Sequence, residues 1–203
     1  LDYSSGVDEK GYLLELDTPI QDALNTHFSY GTITTTTDSP KLKEYYAELN
    51  YDSSESFDIV YGVGFQEKDD RSNINNILDM TYSLSDSKHI QGIVEHQRKK
   101  FVNLTFEGQD EKLVLEETIN LAYTIKYIPS SDFSIGFVLE TTDGAKSGER
   151  SDWFGTQMDM KLSESSELSL FYGARKAGKS CIGGVCIYKP EFDGLEIGYS
   201  AQF

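Results

Sequence analysis

The sequence predicts an all-β chain, an antiparallel up-and-down transmembrane β-barrel or the C-terminal part of one. Three observations predict it. Apolar residues alternate with polar ones at period two along most of the chain, tight connections alternate with long ones, and the last nine residues, "LEIGYSAQF", alternate up to a terminal aromatic. Period two is the signature of a strand with one apolar and one polar face. A soluble sandwich has no reason to make every second connection long, whereas an outer-membrane barrel has tight periplasmic turns and long outer loops. Polarity agrees, because a strand ending at Phe203 runs toward the periplasm, and the loop before it is long while the one before that is tight.

About eleven strands follow in order. "GYLLEL" and "HFSYGTITT" open the chain, and "KEYYAELNY" places Tyr45, Ala47, Leu49 and Tyr51 on one face. "FDIVYGVGF" sets Phe57, Ile59, Tyr61, Val63 and Phe65 against Asp58, Val60, Gly62 and Gly64. "LDMTYSL" and "HIQGIVEHQ" are weaker instances, and "INLAYTIKY" is a strong one, with Ile119, Leu121, Tyr123, Ile125 and Tyr127 together. "FSIGFVLE", "FGTQMDMKL", "LSLFYGA" and the closing "LEIGYSAQF" complete the set. The stretch "TPIQDALN" is too brief for a packed helix and reads as a turn. Ser/Asp-rich turns at 52–56, 85–88, 129–132 and 163–166 separate longer connections at 67–76, 98–112, 142–152 and 173–194.

Composition bounds the function. The chain of 203 residues reads as one barrel domain, 1–203, and it starts at Leu1 without Met or a charged leader, as expected of a processed chain or a fragment. Eighteen basic residues against 34 acids give a net charge of −16, which argues against a nucleic-acid partner because phosphate binding needs a basic face. No apolar run approaches the ~18 residues of a transmembrane helix.

Several motifs offer chemistry and are weighed in turn. "GARKAGKS" (173–180) fits the phosphate-cradling loop of nucleotide hydrolases, but that loop needs a following helix and a parallel sheet. Only 23 residues follow Ser180, and they hold Gly183, Gly184, Pro190 and a strand, so we expect a Gly/Lys-rich outer loop and no nucleotide. Cys181 and Cys186 flank a four-residue turn with two glycines and are expected to form a small disulfide ring. Two cysteines without a nearby His cannot complete a tetrahedral zinc site. His27, His89 and His96 lack the one-turn spacing of a metalloprotease, and no Gly-x-Ser-x-Gly elbow is present. No catalytic, metal or cofactor-binding residue is assigned, and no enzyme is expected.

The closing strand, with Leu195, Ile197, Tyr199, Ala201 and Phe203 on one face, resembles the C-terminal assembly signal of outer-membrane barrels. That resemblance implies recognition by the barrel-insertion machinery and a true C-terminus at Phe203. The wider stretch from "SLFYGARKAGKS" to the end resembles a largely uncharacterised family of Gram-negative outer-membrane β-barrel proteins, whose chains carry a Gly-Gly-Val-Cys loop, a Pro and a closing strand to Phe. The matching residues are Cys181, Gly183, Gly184, Val185, Cys186, Pro190, Gly194 and Phe203, while Ile187 departs from the basic residue of the pattern. The resemblance implies a location in the bacterial outer membrane and supplies no activity. Its members are longer and bacterial barrels have even strand numbers, which implies that N-terminal strands are missing here.

On this reading the polar faces line a lumen, with Asp58, Glu95, Lys126, Glu140, Asp159, Lys161 and Glu196 among the lumen-facing candidates. An acidic excess makes such a pore cation-preferring. Leu121, Ile135, Met158 and Ile197 are expected to face acyl chains of outer-membrane lipid. The expected role is a channel or a scaffold for surface components, with surface or periplasmic proteins as further partners. The alternative is a soluble secreted β-sandwich used in adhesion or assembly.

Overall fold

Period-two patterning produces strands throughout. The computed structural model describes residues 9–35, 42–54, 56–68, 71–107, 110–143, 150–182 and 185–201. Eleven strands form one antiparallel sheet: β1 (Glu9–Gln21), β2 (Leu24–Thr35), β3 (Leu42–Ser54), β4 (Phe57–Lys68), β5 (Arg71–Ser85), β6 (Lys88–Glu107), β7 (Asp110–Ser130), β8 (Phe133–Asp143), β9 (Asp152–Ser163), β10 (Ser166–Arg175) and β13 (Phe192–Ala201). Each pairs with its neighbours in chain order, and a separate hairpin of β11 (Gly178–Ile182) and β12 (Val185–Lys189) grows from the connection between β10 and β13. The all-β, up-and-down architecture is therefore the one the alternation predicts.

No helix or second sheet packs face to face on this sheet among the described residues. A sandwich buries the inner faces of two sheets against each other. Here the only buried apolar side chains among the described residues are Trp153 and Ala174.

The edges carry their own information. β1 pairs only with β2, and β13 only with β10, among the described residues. Pro19 is tolerated in β1 because an edge strand has a side that needs no donor, and a bulge follows it between Pro19 and Gln21. In an antiparallel succession the first and eleventh strands run the same way, so antiparallel closure takes an odd number of further strands.

The connections differ from the expectation in an instructive way. The turns at 22–23, 86–87, 131–132 and 164–165 are tight. Two of the connections expected to be long are instead strand. β4 runs to Lys68 and β5 starts at Arg71, and the 98–112 stretch belongs to β6 and β7, which stay in register down to Glu107 opposite Asp110. Beyond Phe101 and Ile119 these two strands have lost their outer partners on β5 and β8 and continue as a two-stranded ribbon. β-branched and aromatic residues such as Phe101, Val102 and Val114 favour that extension. Arg175, expected in a loop, likewise completes β10 after Gly173 and Ala174 of the strand "LSLFYGA". "TPIQDALN" holds a turn only at Asp22 and Ala23, with strand on both sides.

Candidate functional site: the two faces and the loop-side mouth

One hydrogen-bonded row crosses all eleven strands: Gln21, Leu24, Tyr51, Ile59, Met80, Gly92, Ile125, Phe137, Thr156, Tyr172 and Leu195. Register partners point to the same side, so this row and every second residue from it define an apolar face, except on β1, where the bulge after Pro19 shifts the parity and Tyr12, Leu14, Leu16 and Thr18 take that face. Its large side chains are exposed, among them Tyr61, Ile125, Phe137, Tyr172 and Ile197. Polar residues on it pair with each other, as Asn76 does with Tyr61 at 3.3 Å and His96 at 3.1 Å.

Walking from that row away from the tight turns, several strands meet a first charged residue on the apolar face. On β13 it is Asp193, two residues out; on β9 Asp152, four; on β8 Asp143, six; on β4 Glu67, eight; on β3 Lys43, eight. The tight turns drift in the same sense. Strand pairing ends on the row itself at Gln21–Leu24, two residues beyond it at Phe57, four at Lys88 and Phe133, and six at Ser166. The two margins move together. Phe57 to Glu67, Lys88 to Arg98 and Phe133 to Asp143 each span eleven residues, which matches the ~9–11 residues of a transmembrane β-strand. At ~3.3 Å per residue and ~4.8 Å between strands, this drift corresponds to strands inclined by about 30° to the normal of the apolar band.

Aromatic rings gather near the margins of the band. Tyr12, Tyr30, Tyr45 and Phe65 make a continuous run on β1 to β4, with centroids 5.8, 4.8 and 6.0 Å apart. Phe57, Tyr82 and Tyr127 share one row toward the tight turns.

The opposite face is polar. Asp58, Lys126 and Glu196 stand in a single row, through Thr81, Gln91, Gly136, Gln157 and Phe171. Glu95 and Glu140 flank Ala122 in another row, and Asp159 and Lys161 follow on β9 toward the turns. All seven candidates therefore share one face of the sheet. Leu121, Ile135, Met158 and Ile197 share the other, with Leu195 and Tyr199, and Phe203 lies outside the described residues.

The polar face is most organised at its loop-side end. Gln97 donates to Asn75 Oδ1 at 2.8 Å, Asn120 donates to Gln97 Oε1 at 3.2 Å, and Thr142 donates to Asn120 Oδ1 at 2.9 Å, a ladder across β5 to β8. Lys176, just past β10, reaches into this ladder. Its ammonium donates to Asn120 Oδ1 and, at 2.6 Å, to Thr142 Oγ1, and it lies 5.6 Å from the centre of the Trp153 ring. Its backbone N–H donates to Glu140 Oε2 at 2.9 Å. Trp153 is 5 % exposed and its indole N–H donates to Glu191 Oε1 at 2.9 Å, so the connection carrying β11 and β12 is pinned at both ends. Burial, and after it the charge of Lys99, holds the Lys176 ammonium below the usual lysine range, while Glu140 acts against the shift.

Beside it, Arg175 makes a two-pronged pair with Glu196 at 2.8 and 2.7 Å and stacks on Phe171 and Phe192. Glycine makes room for this stack. A Cβ at Gly155 would come within 2.4 Å of the Phe171 ring, and Gly173, at φ +131°, has the Phe154 carbonyl oxygen where its Cβ would be.

Arg175, Lys176 and Trp153 organise this end of the polar face, and the sequence reading did not assign them. The sequence marks only their neighbourhood: Lys176 lies inside the "GARKAGKS" stretch, and Trp153, the one tryptophan of the chain, falls on the polar parity of its strand. In β11 and β12 the register sets Cys181 opposite Cys186, a pairing with Cα separations compatible with a disulfide. Their side chains, and Gly183 and Gly184, lie outside the described residues.

Fold and faces together define a class, a single up-and-down β-sheet that is apolar on its exposed side and polar on the other. The family model DUF6029, described as a family of unknown function, matches residues 23–203, and the chain belongs to that family. No curated protein matches it. Among solved structures it is similar to one described as "NanC porin structure in rhombohedral crystal form", at 9% identity and a TM-score of 0.48, over 98% of this chain and 96% of that one.

Proposed function

We propose that the chain forms the wall of an outer-membrane β-barrel channel, with its apolar face against acyl chains and its polar face lining an aqueous lumen that prefers small cations. The observation that carries this is the charge-free apolar band, bounded on one side by tight turns and on the other by outward charges such as Lys43, Glu67, Arg98 and Asp143. In water, each fully exposed Leu, Ile or Phe forgoes ~1.5–3 kcal/mol of burial. A hydrocarbon slab recovers that energy without a second protein layer, and a sheet satisfies its backbone groups within itself. Strands inclined by about 30° suit such a slab, since barrel strands tilt by ~35–45°.

Cation preference follows from the polar face, where carboxylates, among them Glu48, Asp58, Asp79, Glu95, Glu140, Asp159, Glu167 and Glu196, outnumber basic residues such as Lys99, Lys126, Lys161 and Arg175. The membrane assignment is tested by migration on a denaturing gel of protein extracted from outer membranes. Faster migration without boiling is expected; recovery in the soluble fraction with no boiling shift overturns it. Selectivity is tested separately, by the reversal potential of the reconstituted protein in a salt gradient. A cation-directed potential is expected, and an anion-directed one overturns that part.

A further inference from the structure

The Lys176 contact has the composition of a ligand site rather than of an ion pair. A primary ammonium offers three donors and no acceptor. Its direct contacts here are two neutral oxygens, Asn120 Oδ1 and Thr142 Oγ1, and the Trp153 ring, whose face attracts cations, while Lys99 and Glu140 act on it through their opposite charges. All three groups come from paired strands, β7, β8 and β9, and Asn120 is further held by Gln97. The host is built into the sheet register, whereas the guest comes from a connection.

Glu140 adds charge without direct contact. It stands two residues from Thr142 on the same face of β8, and its Oε2 is engaged by the Lys176 backbone N–H at 2.9 Å, a bond that any side chain but proline at 176 leaves in place. Host and tether are thus separable: the backbone anchors the connection to Glu140, and the side chain alone fills the space over Trp153.

We propose that Asn120, Thr142 and Trp153, with Glu140 behind them, form a receptor for primary alkylammonium groups, occupied at rest by the chain's own Lys176. An alkylammonium solute then competes with a tethered lysine for one site at the loop-side mouth. Its effect on permeation rests on the lumen reading above; the binding itself requires only the folded sheet.

The test uses Trp153 as reporter, since it is the sole tryptophan. Protein folded in detergent, wild type and Lys176→Ala, is titrated with n-butylammonium, the lysine side chain without its backbone, at constant ionic strength against sodium. Lys176→Ser serves as a second variant should the alanine form not fold. A saturable change in tryptophan emission is expected in the variant, with a midpoint about tenfold lower than in wild type, the shift produced by a tethered group whose effective concentration is about ten times the dissociation constant of the free one. The variant alone should also show red-shifted emission as water reaches the ring. No saturable change in either variant, or equal midpoints in variant and wild type, overturns the proposal. Saturable binding by a protein that shows no boiling shift and no conductance would leave the receptor standing and remove the channel, and the reverse pattern would do the opposite.

Discussion

The two faces of the sheet are built from the same strands, yet they obey different rules. On the apolar face position matters more than identity: Leu, Ile, Met, Tyr and Phe interchange freely along the row from Leu24 to Leu195, and what recurs on β4, β6 and β8 is the spacing of ten positions between turn and charge. On the polar face identity matters, since the ladder through Gln97, Asn120 and Thr142 and the Arg175–Glu196 pair each need particular donors and acceptors. In the proposed membrane setting, a face that meets a uniform solvent requires only a mean property, whereas a face that meets itself and its solutes requires geometry.

The sharpest way to break this contrast is to move a charge across it. Arginine at Ile135 or Met158, neighbours in one row of the band, should cost about 2–4 kcal/mol of folding into lipid bilayers. Arginine at Gln157 or Thr124, one residue from a band position on the polar face, should cost far less. Leu121 lies opposite His96, one register step inside Arg98, so its arginine form should be milder than that of Ile135. Denaturant-induced unfolding from lipid vesicles measures all five, and equal penalties at Ile135 and Gln157 would refute the membrane assignment.

That asymmetry also explains what the sequence makes legible. Period-two alternation is a local property, so every strand of the sheet and the face of every candidate residue can be read without a structure. Strand ends are not local. Lys99 to Glu107 look like a polar loop, yet they pair with Asp110 to Thr118, because one hairpin supplies its own partner after the sheet has ended. The mouth is less legible still. Nothing in "GARKAGKS" says that its first lysine turns back to Asn120 and Thr142, more than thirty positions earlier in the chain, since that contact depends on the sheet's register and on where β10 stops.

A smaller effect should separate backbone from side-chain constraint beneath the Arg175 stack. Gly173→Ala meets the Phe154 carbonyl oxygen at 2.4 Å from a φ of +131°, and neither obstacle can move without disturbing the β9–β10 ladder, so a loss of roughly 1–3 kcal/mol is expected. At Gly155 the obstacle is the far edge of the Phe171 ring, which can swing aside, and Gly155→Ala should cost less while loosening Arg175 from Phe171. Equilibrium unfolding of both variants gives the order, and a larger loss at Gly155 would mean that the aromatic stack, not the glycine backbone, sets the spacing of these strands.

The smallest effect should come from the charges that bound the band. Arg98 Nε donates to Glu117 Oε1, and Lys100 stands 3.9 Å from its other oxygen. Arg98 chiefly, with Lys100 adding to it, holds the Glu117 carboxyl below the usual carboxylate range. A carboxylate with a lowered folded-state pKa contributes stability above its ordinary pKa and loses it as the pH falls through the lowered value. Both partners are exposed, so the contribution is small and screened by salt. Wild type and Glu117→Gln should therefore differ slightly and constantly at neutral pH, converge on acidification below the ordinary carboxylate range, and converge likewise in high salt. A difference that persists in acid would mean that Glu117 acts through packing at the base of the β6–β7 ribbon rather than through its charge, and the margin of the band would then be set by shape as well as by charge.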